Sequence, residues 1–131
     1  MEIKQLYNTV TDKIRDCGVP ASLKGYNYLR DAIIIAVNDG DSRKPLHKGI
    51  YVEIAEKYGD SCRNIERAIR NAIEVAWDRG NIDTMNRIFG YTVSQEKGNP
   101  TNGEFIFLLA DDIMIQNDIL HNSTAKFSKK C

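Results

Sequence analysis

The sequence predicts an all-α fold, a compact bundle of about six helices that contains a helix-turn-helix. Apolar residues recur at intervals of three and four along most of the chain, which is the spacing of amphipathic helices. No two neighbouring segments show the apolar–polar alternation of paired strands. Short clusters of Gly, Asn, Asp and Ser separate the periodic segments and supply turns and helix caps. Together these observations favour a helical bundle over a mixed or all-β fold.

The first third of the chain contains two predicted helices, each with one apolar stripe. The first spans about 3–16 and ends near Gly18; its stripe consists of Ile3, Leu6, Val10 and Ile14. The second spans about 22–38; its inward side chains are Leu23, Tyr26, Leu29, Ala32, Ile33 and Ala36. The polar cluster 38–42 is typical of a turn after the second helix.

The third and fourth predicted helices are joined by a short link that contains glycine. Pro45 suits the first turn of the third helix; the inward residues of that helix are Leu46, Ile50, Ile54 and Ala55. Gly59 suits the end of the third helix, and Ser61 suits the N-cap of the fourth, which spans about 62–79. Two helices joined in this way indicate a helix-turn-helix.

The fourth helix has two opposite faces. Its apolar stripe consists of Ile65, Ala68, Ile69, Ala72, Ile73 and Ala76; the other side carries Arg63, Arg67, Arg70 and Glu74. Such a helix can lie in a DNA major groove, where arginine reads guanine with two hydrogen bonds and glutamate accepts one from cytosine. We therefore predict base contacts at Arg67 and Arg70, with Glu66 as their companion. The pattern alone leaves an equal alternative, a solvated face on which Glu66 and Arg70 form an ordinary i, i+4 pair.

Lys48, Ser61 and Arg63 lie around the helix starts, the part of a helix-turn-helix that approaches the sugar-phosphate backbone. A helix amino terminus also favours anions. We therefore predict DNA-backbone contacts at these three residues. Ser61 has the alternative role of a plain N-cap, and the two roles are compatible.

Two further helices complete the predicted bundle. A short one follows Gly80 and ends near Phe89; it closes the core through Ile82, Met85, Ile88 and Phe89. The run Thr101-Asn-Gly-Glu104 is a capping box and opens the last helix; its predicted buried residues are Phe105, Leu108, Leu109 and Ile113. We expect one domain over 1–131 with a core at about 16–117, and a frayed tail at 118–131 because its composition is mixed and polar.

Composition restricts the possible functions. The 131 residues include 18 basic and 18 acidic side chains, for a formal net charge of +0. This balance argues against indiscriminate nucleic-acid binding but leaves room for a locally basic face. No apolar run is long enough for a membrane span, and three widely spaced cysteines predict free thiols in the cytoplasm. No catalytic or metal-binding motif is present, so we predict no enzyme activity, no cofactor and no metal site.

Five segments, in order, closely resemble the carboxy-terminal effector domain of the sporulation stage zero protein A family of response regulators. They are 19–33, 65–77, 79–83, 89–94 and 100–106. The resemblance covers about 16–110. It implies six helices, of which the third and fourth form the helix-turn-helix, and it favours DNA contact over the solvated-face alternative for Arg67 and Arg70.

The resemblance also implies partners. Members of this family bind double-stranded promoter elements with a T-G-N-C-G-A-A core, often as head-to-tail tandem dimers on adjacent boxes. They contact the housekeeping sigma subunit of RNA polymerase. Asp83, Asn86 and Arg87 face outward on the predicted fifth helix, in the region that matches the family's sigma-factor surface.

The chain also departs from the family. These residues include no receiver domain, and we expect either a stand-alone effector-like protein or a part of a longer one. Arg63-Asn64 stands where the family has Ser-Arg, and Asp111, Asp112 and Asp118 make the last helix less basic. The alternative function is therefore a protein-interaction module that binds sigma factor or a related regulator instead of DNA.

Overall fold

The computed structural model describes residues 2–42, 44–79, 82–90 and 98–130, with side chains at all of these except 41, 82 and 118–130. Its α-helices are α1 Ile3–Asp16, α2 Lys24–Asp39, α3 Tyr51–Tyr58, α4 Cys62–Arg79, α5 Ile82–Phe89 and α6 Asn102–Lys130. A 3₁₀ turn, Gly40–Ser42, follows α2, and a π-helical turn, Leu46–Ile50, precedes α3. The described residues form no strand, so the predicted all-α class is confirmed.

The second helix is the centre of the bundle. It contacts α1, α3, α4 and α6, and Leu29, Ala32, Ile33 and Ala36 are fully buried among them. The predicted stripe of α1 is also buried, at Leu6, Val10 and Ile14, whereas Ile3 at its start is 88% exposed. The first helix therefore covers the core through three of its four predicted apolar positions.

Gly25 lets α2 approach α4 closely. A Cβ atom at this position would lie 2.2 Å from the carbonyl oxygen of Ala68 and 2.7 Å from the Cβ atom of Ala72. Both distances are too short for a real Cβ atom, and neither neighbour can move aside easily, because the first is a backbone atom and the second is the short side chain of the buried Ala72. The small residues on both helices thus set how near α4 lies to the bundle.

The helix-turn-helix forms where the sequence predicted it, with one local difference. The chain after Pro45 first makes a π-helical turn and becomes α-helical only at Tyr51. Gly59 adopts the left-handed conformation with φ of 65° and ends α3, as its position predicted. The backbone N–H of Asn64 donates to Ser61 Oγ at 3.1 Å, which confirms Ser61 as the N-cap of α4.

The start of α6 confirms the predicted capping box. The N–H of Thr101 donates to Glu104 Oε1 at 2.8 Å, and the N–H of Glu104 donates to Thr101 Oγ1 at 3.1 Å. One core prediction on this helix is wrong: Leu108 is only partly buried, and Ile106 is fully buried in its place. The helix spans Asn102–Lys130, and the fraying of the tail at 118–131 stays a prediction.

Candidate nucleic-acid interface

The exposed face of α4 carries a row of charged side chains. With about 100° of rotation per residue, the row falls within a sector of about 60°; its members are Arg63, Arg67, Arg70 and Glu74, all exposed. The opposite face holds the fully buried Ile65, Ile69 and Ala72. Because the apolar stripe is held in the core, the rotation of α4 about its axis is determined and the arginines point away from the bundle.

Glu66 and Arg70 form an ion pair one helical turn apart, with Arg70 Nη1 donating to Glu66 Oε1. The Glu66 side chain is 26% exposed and that of Arg70 52% exposed. The i, i+4 pair that the sequence left as an alternative is therefore present. It does not by itself decide whether Arg70 contacts DNA, because an exposed pair of this kind is worth only a few tenths of a kcal/mol.

Arg63 and Arg67 differ from Arg70 in having no ion pair and no side-chain hydrogen bond to any described residue. The same holds for Lys48, which is exposed on the π-helical turn before α3. Within the described residues, no ion pair or side-chain hydrogen bond restrains the charged groups of these three side chains. They can form bonds to an incoming ligand without first breaking a bond within the described part of the protein.

Protein groups already occupy part of the amino terminus of α4. Asp60 Oδ1 accepts from the N–H of Ser61 at 2.8 Å and from Asn64 Nδ2 at 2.8 Å. These bonds, with a further one from the Tyr28 hydroxyl, lower the pKa of the Asp60 carboxyl. The Asp60 charge would repel a phosphate here, but the Ser61 hydroxyl proton remains available because Ser61 Oγ acts as an acceptor toward Asn64.

Two tyrosine–carboxylate hydrogen bonds tie the turn between α3 and α4 to α2. The Tyr28 hydroxyl donates to Asp60 Oδ2 at 2.9 Å, and the Tyr58 hydroxyl donates to Asp31 Oδ2 at 2.6 Å. Lys57 Nζ lies 3.0 Å from the same Asp31 oxygen, and the two tyrosine rings meet edge to face with their centroids 5.0 Å apart. Sequence patterns did not reveal this group, because each of its hydrogen bonds joins residues 26 to 32 positions apart in the chain.

An open groove of about 550 Å³ runs along one flank of α4, between the helix-turn-helix and the start of α6. Its walls include His47 and Tyr51 from the first part of the motif, Glu66 and Arg70 from α4, and Asn102 from α6. Asn102 Nδ2 donates to Tyr51 Oη at 2.9 Å and to the main-chain oxygen of Glu66 at 3.1 Å. In the sequence, Asn102 stands out only as a member of the capping-box run.

The outward face of α5 includes Asp83, Asn86 and Arg87, all exposed as predicted. Arg87 Nη1 lies 3.4 Å from Asp112 Oδ1 of α6, and Lys13 of α1 lies 3.3 Å from the other oxygen of Asp112. Asp112 thereby connects three helices. The acidic character of α6 that distinguishes this chain has a structural role at this position.

Other classes of site find no support in the described residues. No three side chains of the types that bind metals lie close enough together to hold an ion. In the same part of the chain, no helix combines the length and apolar character that crossing a membrane requires.

One comparison with known proteins bears on this interface. The family model described as "Sporulation initiation factor Spo0A C terminal" matches residues 10–113, which is most of the chain. The match begins inside α1 and ends in α6, so it includes the whole helix-turn-helix and the groove beside it. It also extends farther toward the amino terminus than the resemblance at about 16–110, so that the second half of α1 belongs to the matched domain.

Proposed function

The chain belongs to the family of the carboxy-terminal domain of sporulation initiation factor Spo0A, whose members are DNA-binding effector domains of transcription regulators, and we propose that it reads short promoter boxes in double-stranded DNA. In this proposal α4 lies in the major groove. The family is one of DNA-binding domains and not of enzymes, which agrees with the lack of a catalytic motif in the sequence.

The observation that carries the proposal is the orientation of α4. Its buried isoleucines hold the helix in the core while Arg63, Arg67 and Arg70 lie along the exposed side. A major groove about 12 Å wide admits a helix presented in this way. The zero net charge of the chain is no obstacle, because the charges that meet the DNA are local to this face.

The proposed base contacts are Arg67, Arg70 and Glu66. Arg67 has no competing partner among the described residues, so it is the stronger of the two arginines for a bidentate contact to guanine. Arg70 and Glu66 are proposed to act as a pair, with the carboxylate holding the guanidinium near the groove edge. The proposed backbone contacts are Lys48, Ser61 and Arg63, which orient the protein without reading sequence.

The face of α5 that carries Asp83, Asn86 and Arg87 is proposed as a second interface, with the sigma subunit of RNA polymerase. It lies on a different helix from the arginine row, so the two contacts are compatible. A tandem pair of molecules on adjacent boxes is the expected arrangement if the T-G-N-C-G-A-A element of the family is also the target here.

Binding to a fluorescent duplex tests the proposal. Anisotropy titrations compare a duplex that carries two tandem T-G-N-C-G-A-A boxes with a scrambled duplex of equal length across a salt series. A preference for the boxes that persists as salt rises supports base reading, because phosphate contacts alone weaken on both duplexes alike. Weak and equal binding to both would contradict it and favour the alternative, an interaction module for sigma factor or another regulator.

A further inference from the structure

We propose that Asn102 is a positioning residue for DNA reading, because its amide joins the first helix of the helix-turn-helix to the recognition helix α4. This inference rests on the proposed function and adds a specificity-determining residue to it. The side-chain amide, Tyr51 Oη and the main-chain oxygen of Glu66 together are called the Asn102 bridge. Asn102 lies on α6, outside the helix-turn-helix, and has no charge with which to attract DNA.

The geometry of the bridge uses both donors of one amide. Asn102 Nδ2 lies 2.9 Å from Tyr51 Oη and 3.1 Å from the Glu66 oxygen, and both bonds are partly buried. Tyr51 is fully buried, and its ring meets the His47 ring edge to face with the centroids 5.1 Å apart. An NH₂ group has two protons, so the two acceptors use its full donor capacity.

The position of Asn102 is itself well determined. It is the first residue of α6, directly after the N-cap Thr101, and the capping box holds that turn through two reciprocal hydrogen bonds. Behind it, Phe105 and Ile106 are fully buried. The bridge therefore connects α4 to a turn that is itself held by two hydrogen bonds and by buried side chains.

The acceptor on α4 lies at the residue that matters for reading. Within an α-helix the Glu66 oxygen already accepts from the N–H of residue 70, so Asn102 binds its second lone pair. The side chains of these same two residues form the Glu66–Arg70 pair. A change in how α4 sits against α6 would move that pair relative to a base edge, and contacts of this kind tolerate displacements of only about 0.5 Å.

Nonspecific DNA binding depends less than base reading on the exact position of α4. Phosphate contacts from flexible cations such as Lys48 tolerate a small tilt of α4, because they depend on charge more than on angle. Loss of the bridge should therefore lower affinity for a cognate box more than affinity for a scrambled duplex. A role limited to general stability would lower both together or lower neither.

The main variant is Asn102→Ala, which removes both donors and keeps a good helix former at the first helical position. The matched control is Asn99→Ala, which removes the same side chain from an exposed residue lining the same groove. Asn102→Asp keeps the size of the side chain and suits a helix amino terminus, but it cannot donate to the Glu66 oxygen. Tyr51→Phe removes one bond and leaves the bond to Glu66.

Two measurements are made on each variant: the ratio of scrambled to cognate Kd by anisotropy, and hydrogen exchange of the α4 amides without DNA. We expect Asn102→Ala and Asn102→Asp to lower the ratio about five- to tenfold and to speed exchange in the first half of α4. Tyr51→Phe should have a smaller effect, and Asn99→Ala none. The Asp variant also keeps the test available if the Ala variant folds poorly.

The proposal is overturned if Asn102→Asp and Asn102→Ala behave like Asn99→Ala, or if they weaken cognate and scrambled binding equally. Failure of the proposed function gives a different result, because then the wild-type protein itself shows no preference. In that case the role of Asn102 in DNA reading falls with the proposed function, and the exchange data test only the contact: faster exchange in the first half of α4 supports the Asn102 bridge, and unchanged exchange overturns it.

Discussion

The carboxylate of Glu66 pairs with the guanidinium of Arg70 one turn farther along α4, at the edge of a groove that opens beside the exposed arginine row. Two of the three proposed base-reading side chains are thus in contact before any DNA is bound. The third, Arg67, has no partner among the described residues. The proposed reading face therefore combines one unpaired arginine with one whose position is set by a neighbour.

Replacement of Glu66 by Gln tests whether the pair orients Arg70. We expect tighter binding to scrambled DNA, because one negative charge is lost near the phosphates, and a preference for the cognate box reduced by about three- to tenfold. Glu74→Gln is the matched control, since it makes the same charge change on the same helix face. Anisotropy titrations of both variants on both duplexes give the comparison. An identical effect of the two substitutions would show that only charge matters.

Arg67→Ala should weaken binding to cognate DNA far more than binding to scrambled DNA. A bidentate contact between arginine and guanine contributes about 1–3 kcal/mol of discrimination, or about 5- to 150-fold in the ratio of dissociation constants. Arg70→Ala should act in the same direction with a smaller effect, because the guanidinium that Glu66 holds in place shares its donors between that carboxylate and the base. Arg15→Ala, an exposed arginine on α1, controls for the loss of one positive charge. Equal losses on the two duplexes would rule out base reading by Arg67.

Gly25→Ala should destabilise the protein by about 1–3 kcal/mol or more, because the added methyl group would overlap the Ala68 carbonyl and the Ala72 side chain. Gly103→Ala is the matched control: a Cβ atom there would lie 3.7 Å from Leu46, an ordinary contact. The control should be neutral or stabilising by about 0.5 kcal/mol, since alanine favours helix. Urea unfolding of both variants measures the difference. A Gly25→Ala protein as stable as the control would mean that α2 and α4 separate easily.

Tyr58→Phe should lower the free energy of unfolding by about 1–2 kcal/mol, because it leaves the half-exposed ring in place but removes a hydrogen bond to the buried carboxylate of Asp31. Burial and this bond also raise the pKa of the Tyr58 hydroxyl. Tyr7→Phe is the control, since the Tyr7 ring keeps its position over Arg30, 4.3 Å from the guanidinium carbon. Thermal and urea unfolding measure the stability of the two variants. No difference between the two would show that the Tyr58–Asp31 bond contributes nothing to stability.

The Cys17 thiol should resist alkylation in the native state. Burial raises its pKa from 9.0 to about 12, with the neighbouring Asp16 charge as a second cause. A raised folded-state pKa stabilises the fold fully below pH 9, and the contribution is lost as pH rises from 9 toward 12. Iodoacetamide at pH 8 followed by peptide mapping should label the partly exposed Cys62 much faster than Cys17. Rapid native labelling of Cys17 would contradict the buried placement.

Most of the fold was predictable because its signals are local. Ser61 as an N-cap, Gly59 as a helix end and the Thr101–Glu104 capping box each depend on residues within four positions of one another, and all were confirmed. The exchange of Leu108 for Ile106 in the core was not predictable in this way. Both are apolar and lie two positions apart, so only the helices packed against α6 decide which one is buried.

The sequence by itself determined the number and order of the helices, the buried stripe of α4 and the arginines opposite it, because helical periodicity and capping act over a few residues. Only the tertiary structure decided which groups from distant segments meet: Tyr58 with Asp31, Gly25 with Ala68, and Asn102 with Tyr51 and Glu66. These contacts join residues 27 to 51 positions apart. Nothing in the spacing of single residues encodes such pairs, since they arise from how whole helices pack.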